Sequence, residues 1–376
     1  MKEFFTKYIK VFCSFFPIRN VILFESVPDM DGNSRAVFDT MVKLNFHEKY
    51  RLVWLVDNKV TYNNYEIENI YFDYKPTSLF KKIMYVLKYF NVKVKISENA
   101  CYPKFHRRTV AIHLGHGTAI KNTGSLMHIN GSADYALYQS EAVKEITAEL
   151  HNLNEDQLVC LGYPRNDNLI KGSRTAVDEN YIVWLPTFRK SNLSNRLDSD
   201  YDFPLGIPIL KDLSEVRHLN SILKRNNFKL YIKPHFVARL NEWDVVDFSH
   251  VKLITEDYYK NQGLLLYEFL GMSKALITDY SSVYFDYLLM DKPIGVTVDD
   301  LQQYEKGLGF VYDDFKGTIL GELIDSYEDL EKYIISCIEN NIDIRYLRAR
   351  KEMFNKFTDD QSSIRVVDFL KERADL

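Results

Sequence analysis

Ile277-Thr278-Asp279-Tyr280-Ser281-Ser282-Val283-Tyr284-Phe285-Asp286-Tyr287 is the stretch on which the reading of this chain turns. Ala275 to Ile277 make a short apolar strand, a Thr-Asp-Tyr-Ser-Ser turn follows, and a helix begins at once, with Val283, Phe285, Leu288 and Leu289 placed to pack inward. A strand leading through a tight polar turn into a helix is the building unit of an α/β fold. Asp279, Ser281 and Ser282 are all helix-capping types, and the first helical turn carries backbone N–H groups without partners. Free donors, two hydroxyls and the positive end of a helix dipole suit an anion. Taken alone, the turn reads as an ordinary capped helix; the rest of the chain changes that reading.

Working outward, apolar runs of strand length recur on both sides. Val21–Glu25, Arg51–Val56, Val92–Ile96, Thr109–Leu114, Tyr135–Tyr138 and Leu158–Leu161 form one series. Tyr181–Leu185, Lys229–Ile232, Val251–Ile254, Ala275–Ile277 and Pro293–Val296 form a second. Helical patterns lie between them, among them 35–46, Leu213–Arg225 and Leu264–Met272. Strands alternating with helices imply parallel sheets, here two doubly wound Rossmann-like domains facing across a cleft. The polar stretch Lys171–Asn180 marks the boundary, giving domains at 20–175 and 176–376 after an amphipathic segment at 1–19. Ser191–Tyr201 is polar and aperiodic and reads as a loop.

At 376 residues the chain suits two domains, and 46% hydrophobic with 27% charged residues is ordinary for a globular protein. Its four cysteines have no CxxC pair and no metal-type spacing, which argues against a disulfide framework or a zinc site. The net charge of −4 is uneven: residues 1–110 hold 18 Lys and Arg against 11 Asp and Glu, and the remainder is acidic. A basic, aromatic-rich first third points to an anionic lipid surface; no nucleic-acid signature is present. No segment has the apolar length to span a bilayer. Residues 3–16 carry Phe4, Phe5, Tyr8, Val11, Phe12, Phe15 and Phe16 at steps of three and four, with Lys2, Lys7 and Lys10 alongside. Such a helix lies in a membrane interface or packs on a core, and the pattern supports both. In 79–90, where Leu79, Phe80, Ile83, Met84, Leu87 and Phe90 sit among Lys81, Lys82 and Lys88, packing on the core is the expectation.

Four more strand ends carry chemistry. His113-Leu-Gly-His116-Gly117-Thr118 precedes Lys121; its glycines let backbone approach a ligand, and imidazole takes a proton near neutral pH. Gly162-Tyr-Pro-Arg165-Asn166-Asp167, Pro186-Thr187-Phe188-Arg189 and Lys233-Pro234-His235 end further strands. Each alone reads as an ion pair, a core imidazole or turn filler. Together they place two histidines, cations, two serines and a helix start where α/β folds bind ligands, an inventory that suits a diphosphate and a hydroxyl proton.

The stretch 277–294, Ile-Thr-Asp-Tyr-Ser-Ser-Val-Tyr-Phe-Asp-Tyr-Leu-Leu-Met-Asp-Lys-Pro-Ile, closely resembles the signature of the CDP-glycerol glycerophosphotransferase family of teichoic acid synthesis. His116-Gly-Thr-Ala-Ile-Lys121 is similar to its His-Gly-Thr-Pro-Leu-Lys loop. Ile22–Ser26 with Asn33-Ser-Arg35-Ala36, the 162–167 and 185–189 segments, Lys233-Pro-His235 and Gly309-Phe310 follow in the family's order. Gly115 stands where the family usually has Trp, Ala119 where it has Pro, Phe236 where Pro follows the histidine, and Leu308 where Arg often precedes Gly-Phe. These departures bear on the acceptor more than on fold or reaction.

The resemblance implies a GT-B-like architecture whose first domain meets the membrane and the acceptor. The second domain would bind the donor, and a C-terminal helix near Ile364–Glu372 would pack back across the cleft. It implies transfer of glycerol phosphate, or another alditol phosphate, from CDP-glycerol or CDP-ribitol to a hydroxyl of a lipid-linked saccharide or polymer, releasing CMP. The setting would be teichoic acid or capsule synthesis at the cytoplasmic face of the membrane. His116 is then the candidate general base and His235 the second catalytic histidine. Gly117, Thr118, Lys121, Arg165, Arg189, Lys233, Thr278, Asp279, Ser281 and Ser282 are the candidate substrate-binding residues, Asp279 with capping the helix as its other reading. No obligatory cofactor or metal is expected, and the pairs Asp299-Asp300 and Asp313-Asp314 are read as solvated. A nucleotide-sugar glycosyltransferase and an inactive membrane scaffold are the alternative readings.

Overall fold

The structure, a computed structural model, describes residues 11–58, 60–62, 66–99, 102–129, 131–189, 198–199, 201–234 and 248–376. The chain divides into two compact units. One takes the chain to Thr118, then Gly124–Asp167 and Lys356–Leu376; the other takes Ala119–Thr123 and Asn168–Asn355. The division thus falls at 167/168, inside a helix, where the sequence suggested 175/176, and the last segment of the chain counts with the first unit.

The first unit is built on a seven-stranded parallel sheet of β1 (Arg19–Glu25), β2 (Arg51–Val56), β3 (Ile70–Tyr74), β4 (Val92–Ser97), β5 (Val110–His113), β6 (Tyr135–Leu137) and β7 (Leu158–Val159). Their order is β3-β2-β1-β4-β5-β6-β7. Its helices include α1 (Gly32–Lys43), α2 (Leu79–Tyr89) and α3 (Lys144–His151), and α4 (Arg165–Ser173) leads out of it. The central strands read as unbroken apolar runs because both faces are covered. On one face Ile22, Phe24, Leu52, Trp54, Val94 and Ile96 pack with Val37, Phe38 and Met41 of α1 and with Val366, Val367 and Leu370 of the helix Ser362–Ala374. Phe24, Phe38 and Trp54 form a ring cluster with centroids 5.3–5.6 Å apart. On the other face Val21, Leu23, Val53, Leu55 and Val92 meet Tyr85 and Tyr89 of α2. Each such side chain contributes about 1.5–3 kcal/mol on burial.

Helix α2 corrects the expectation that 79–90 packs on the core. Only Tyr85 and Tyr89 of α2 are buried, while Leu79, Phe80 and Leu87 are 76%, 72% and 64% exposed, with Ile83 and Met84 beside them. Phe12 and Phe15 are also exposed, and Phe16 sets its ring edge-on against Phe90 at 5.3 Å. The remainder of the 3–16 segment, residues 3–10, lies outside the described residues.

The second unit carries a six-stranded parallel sheet of β8 (Asn180–Leu185), β9 (Phe228–Ile232), β10 (Val251–Leu253), β11 (Ala275–Thr278), β12 (Ile294–Thr297) and β13 (Glu322–Ile324), in the order β10-β9-β8-β11-β12-β13. Ile182, Trp184, Leu230, Ile232 and Ile277 pack against Val216, Leu219 and Leu223 of the helix Leu213–Arg225 and Leu330 and Ile334 of the helix Tyr327–Ile338. Both helices start on side-chain caps: Asp212 accepts from the N–H groups of Ser214 and Glu215, and Ser326 from that of Asp329. In each sheet the connections reverse direction once, between β1 and β4 and between β8 and β11. Such switch points leave a crevice beyond the carboxyl ends of the strands, where doubly wound sheets bind ligands.

Candidate active site

At the first switch point the carboxyl ends of β1, β4 and β5 bring together Glu25, Glu98, Asn99 and His116. His116 lies between Gly115 and Gly117, whose φ values of +69° and +110° need residues without a Cβ. The side chain of Asn33, in the first turn of α1, holds this loop: its Nδ2 donates to the Gly115 carbonyl at 2.9 Å and its Oδ1 accepts from Arg165 N at 3.0 Å. The imidazole of His116 is 53% exposed, with Nδ1 3.5 Å from Glu98 Oε1 and 3.3 Å from Asn99 Nδ2. Glu98 itself is fully enclosed. Its Oε2 accepts from Ser34 N at 3.1 Å, and its carboxylate packs so close to Gly32 (φ +66°) that a Cβ there would meet Oε1 at 2.2 Å. Behind it Glu25 Oε2 accepts from the backbone of Glu98 and Asn99 at 3.4 and 3.3 Å.

His113, three residues before His116, has a different environment. Burial pushes its pKa down to about 3, with His151 and His116 adding repulsion, so the ring is neutral. Its Nδ1 is 3.3 Å from Ser97 Oγ, and its ring meets His151 edge-on at 5.1 Å. Thr118 is also buried, and its hydroxyl reaches no partner among the described residues. Arg165 starts α4 and is nearly buried beside the ring of Tyr163. Asp167 accepts from the N–H groups of Ser362 and Ser363 at 2.8 Å, so the 162–167 motif docks the helix Ser362–Ala374.

At the second switch point the loop after β8 and the turn after β11 are locked together. Asp279, completely buried, accepts from Thr187 N and Oγ1 at 3.1 and 3.0 Å and from Arg189 Nη1 at 2.9 Å. Arg189 donates from Nε and Nη2 to the two oxygens of Asp300, at 2.5 and 3.0 Å, and Tyr280 donates to the same carboxylate at 2.9 Å. Burial works against the guanidinium charge, and Asp279 and Asp300 overcome it, so Arg189 stays protonated with a pKa above its usual range. This bears on the reading of Arg189 and corrects that of the Asp299-Asp300 pair. The charge of Arg189 is engaged with carboxylates inside the fold, and these contacts tie the two loops together. Asp300 is buried and Asp299 largely so, its pKa raised to about 6 by burial; Asp313 and Asp314 are exposed.

Thr278 is buried with its hydroxyl on the Leu185 carbonyl. Ser281 and Ser282 are half-buried at the turn, and the helix after them, Val283–Tyr287, is only five residues long. Its dipole is correspondingly weak, and the hydroxyls and turn N–H groups are the donors that matter. Lys121 belongs to the second unit: its Nζ is 3.5 Å from the buried Asp198 and 5.7 Å from the rings of Phe188 and Tyr304. Lys233 is half-buried just past β9, its N–H on the Trp184 carbonyl. His235 and Phe236 lie outside the described residues. Among the described residues no group of His, Cys, Asp and Glu could hold a metal ion. Glu98 and Asn99 escaped the sequence reading, although Ser97-Glu98-Asn99 ends an apolar strand as the other motifs do; Asn33 entered it only within a matching segment, with no role of its own.

The profile of the CDP-glycerol:poly(glycerophosphate) glycerophosphotransferases matches residues 8–372. The chain belongs to this family. Among the glycerophosphotransferases and their relatives, it is 28% identical over 293 residues to the teichoic acid ribitol-phosphate primase of Bacillus spizizenii, covering 70% of each chain. It is 24% identical over 344 residues to the teichoic acid poly(glycerol phosphate) polymerase of the same organism, covering 82% of this chain and 81% of that one. Its fold is similar to that of the wall teichoic acid polymerase TagF, with a TM-score of 0.73 at 19% identity over 98% of this chain and 94% of the other. As a member of the glycerophosphotransferase family the chain is a teichoic acid-type polyol-phosphate transferase with a GT-B-like α/β fold.

Proposed function

We propose that the protein transfers an alditol phosphate from a CDP-alditol to a hydroxyl of a lipid-linked saccharide or polymer acceptor, releasing CMP, while attached to a membrane surface. The observation that carries this reading is His116: an accessible imidazole at a switch point, its Nδ1 side turned toward an enclosed carboxylate. In this reading His116 Nε2 takes the acceptor hydroxyl proton as the oxygen attacks the β-phosphorus. The bond from that phosphorus to the bridging oxygen breaks, and CMP leaves with the electron pair. A base of this kind supplies roughly 10²–10⁴-fold in rate. Ser281, Ser282, Lys233, Lys121 and His235 offer donors and charge for the diphosphate, without an obligatory metal. Family membership supports the phosphoryl chemistry. The two named relatives handle ribitol phosphate and glycerol phosphate respectively, so both CDP-alditols belong in the test.

The exposed apolar face of α2, flanked by Lys81, Lys82 and Lys88, supports peripheral attachment to an anionic membrane. Among the described residues no helix is long and apolar enough to cross one.

The deciding assay measures CMP release from CDP-glycerol and from CDP-ribitol, with and without a lipid-disaccharide acceptor. Acceptor-dependent release with one donor, reduced at least 10²-fold in His116→Ala, is the expected result. Undiminished release in that variant would remove His116 as the base. For attachment, Phe80→Glu/Leu87→Glu is expected to lose co-sedimentation with phosphatidylglycerol-containing vesicles. Its melting temperature should hold, because both positions are at the surface. Full vesicle binding by the folded variant would assign the stripe another role.

A further inference from the structure

We propose that Glu98 is the positioning residue of His116: an enclosed carboxylate, anchored on helix α1, that holds the imidazole as its Nδ1–H tautomer and so presents Nε2 as the base. This inference rests on the reading of His116 as the general base and adds the group that makes it one.

The Glu98 carboxylate, 2% exposed, needs compensation for its lost hydration. Ser34 N supplies a hydrogen bond to Oε2 at 3.1 Å, and the N-terminus of a twelve-residue helix supplies favourable potential. Gly32 makes this approach possible, since any side chain there would occupy the carboxylate's place. With Oε2 on the helix, Oε1 is the oxygen turned toward His116 Nδ1, at 3.5 Å.

Among the described residues, two neighbours of Nδ1 make opposite demands. Glu98 Oε1 can only accept, which favours a proton on Nδ1. Asn99 Nδ2, at 3.3 Å, donates, and its orientation is set by Asn99 Oδ1 accepting from Val27 N at 2.8 Å. The carboxylate contact, at 3.5 Å, is an ion-pair contact rather than a short hydrogen bond, and the attraction of its full charge for a proton on Nδ1 outweighs the dipole of one amide, so the carboxylate decides the tautomer. The other titratable groups placed here among the described residues contact neighbours other than Nδ1: Glu25 accepts from the Glu98 backbone, and the neutral His113 lies against Ser97 Oγ. During reaction the proton stays on the imidazole: Nε2 gains it from the acceptor hydroxyl, and Glu98 remains ionised and balances the imidazolium.

The test uses the full chain with ¹⁵N-labelled histidine and long-range ¹H–¹⁵N correlation at a pH where His116 is neutral, the signal being assigned by its loss in His116→Ala. The wild type is expected to show the Nδ1–H tautomer, Glu98→Gln a mixture containing Nε2–H, and Asn99→Ala the wild-type pattern. In the CMP-release assay Glu98→Gln is expected to lower kcat roughly 10²-fold with KM for the CDP-alditol unchanged. An Nε2–H tautomer in the wild type overturns the proposal without any variant. So does a tautomer that changes in Asn99→Ala but not in Glu98→Gln. The spectrum needs no substrate, so absence of CMP release with the tautomer pattern intact would count against the transfer reaction alone.

Discussion

Two imidazoles three residues apart, His113 and His116, receive opposite roles from their surroundings. His113 is sealed in the sheet and stays neutral far into acid; His116 is open and faces a carboxylate. The contrast has a measurable consequence. An unfolded histidine protonates below about pH 6.5, whereas His113 in the fold does so only near 3, so below 6.5 the unfolded state binds the extra proton. His113 therefore adds nothing to pH dependence above 6.5 and destabilises progressively as pH falls from 6.5 toward 3. The full effect is on the order of a few kcal/mol. His113→Asn should flatten the loss of melting temperature between pH 6.5 and 4 relative to the wild type; an unchanged slope would show that other groups govern acid unfolding. At this scale the sequence made His116 legible through its flanking glycines. Glu98 was hidden because its partners, Gly32 and Ser34, lie more than sixty residues away and no local pattern announces them.

At the scale of elements, the loops after β8 and β11 act as one piece because Arg189 bridges Asp279 and Asp300. Removing one member of a buried ionic cluster leaves charges without compensation and costs about 3–5 kcal/mol. Arg189→Met should lower stability by that amount in denaturant unfolding, and adding Asp279→Asn and Asp300→Asn should recover a good part. A single mutant as stable as the wild type would mean that water reaches the cluster. The same bridge explains why Asp299-Asp300 read wrongly as solvated: the cation that draws Asp300 inside comes from 111 positions earlier. Strands with both faces covered, such as Leu52–Val56, were legible as apolar runs. Edge strands β3 and β13 were missed because Tyr71, Tyr74 and Leu323 face solvent and Asp73 and Glu322 interrupt the pattern. Helix α2 was legible as amphipathic but not as outward-facing, since it buries its two tyrosines and periodicity does not say which apolar side meets the sheet.

For the whole molecule, alternating strands and helices were enough to predict two doubly wound units, because a parallel strand must be followed by a crossover. What alternation could not reveal is that the first unit borrows its last core helix from the far end of the chain. Val366, Val367 and Leu370 cover the same layer as Val37, Phe38 and Met41 of α1. A ribosome emits those two groups of residues far apart in time. At about 5–20 residues per second, the stretch separating Asp167 from Ser362 takes roughly 10–40 s to translate. Throughout that interval the nascent first unit holds an uncovered apolar layer, while the second unit can finish folding. Chaperone dependence and sensitivity to elongation rate should therefore concentrate in the half of the protein that is synthesised first.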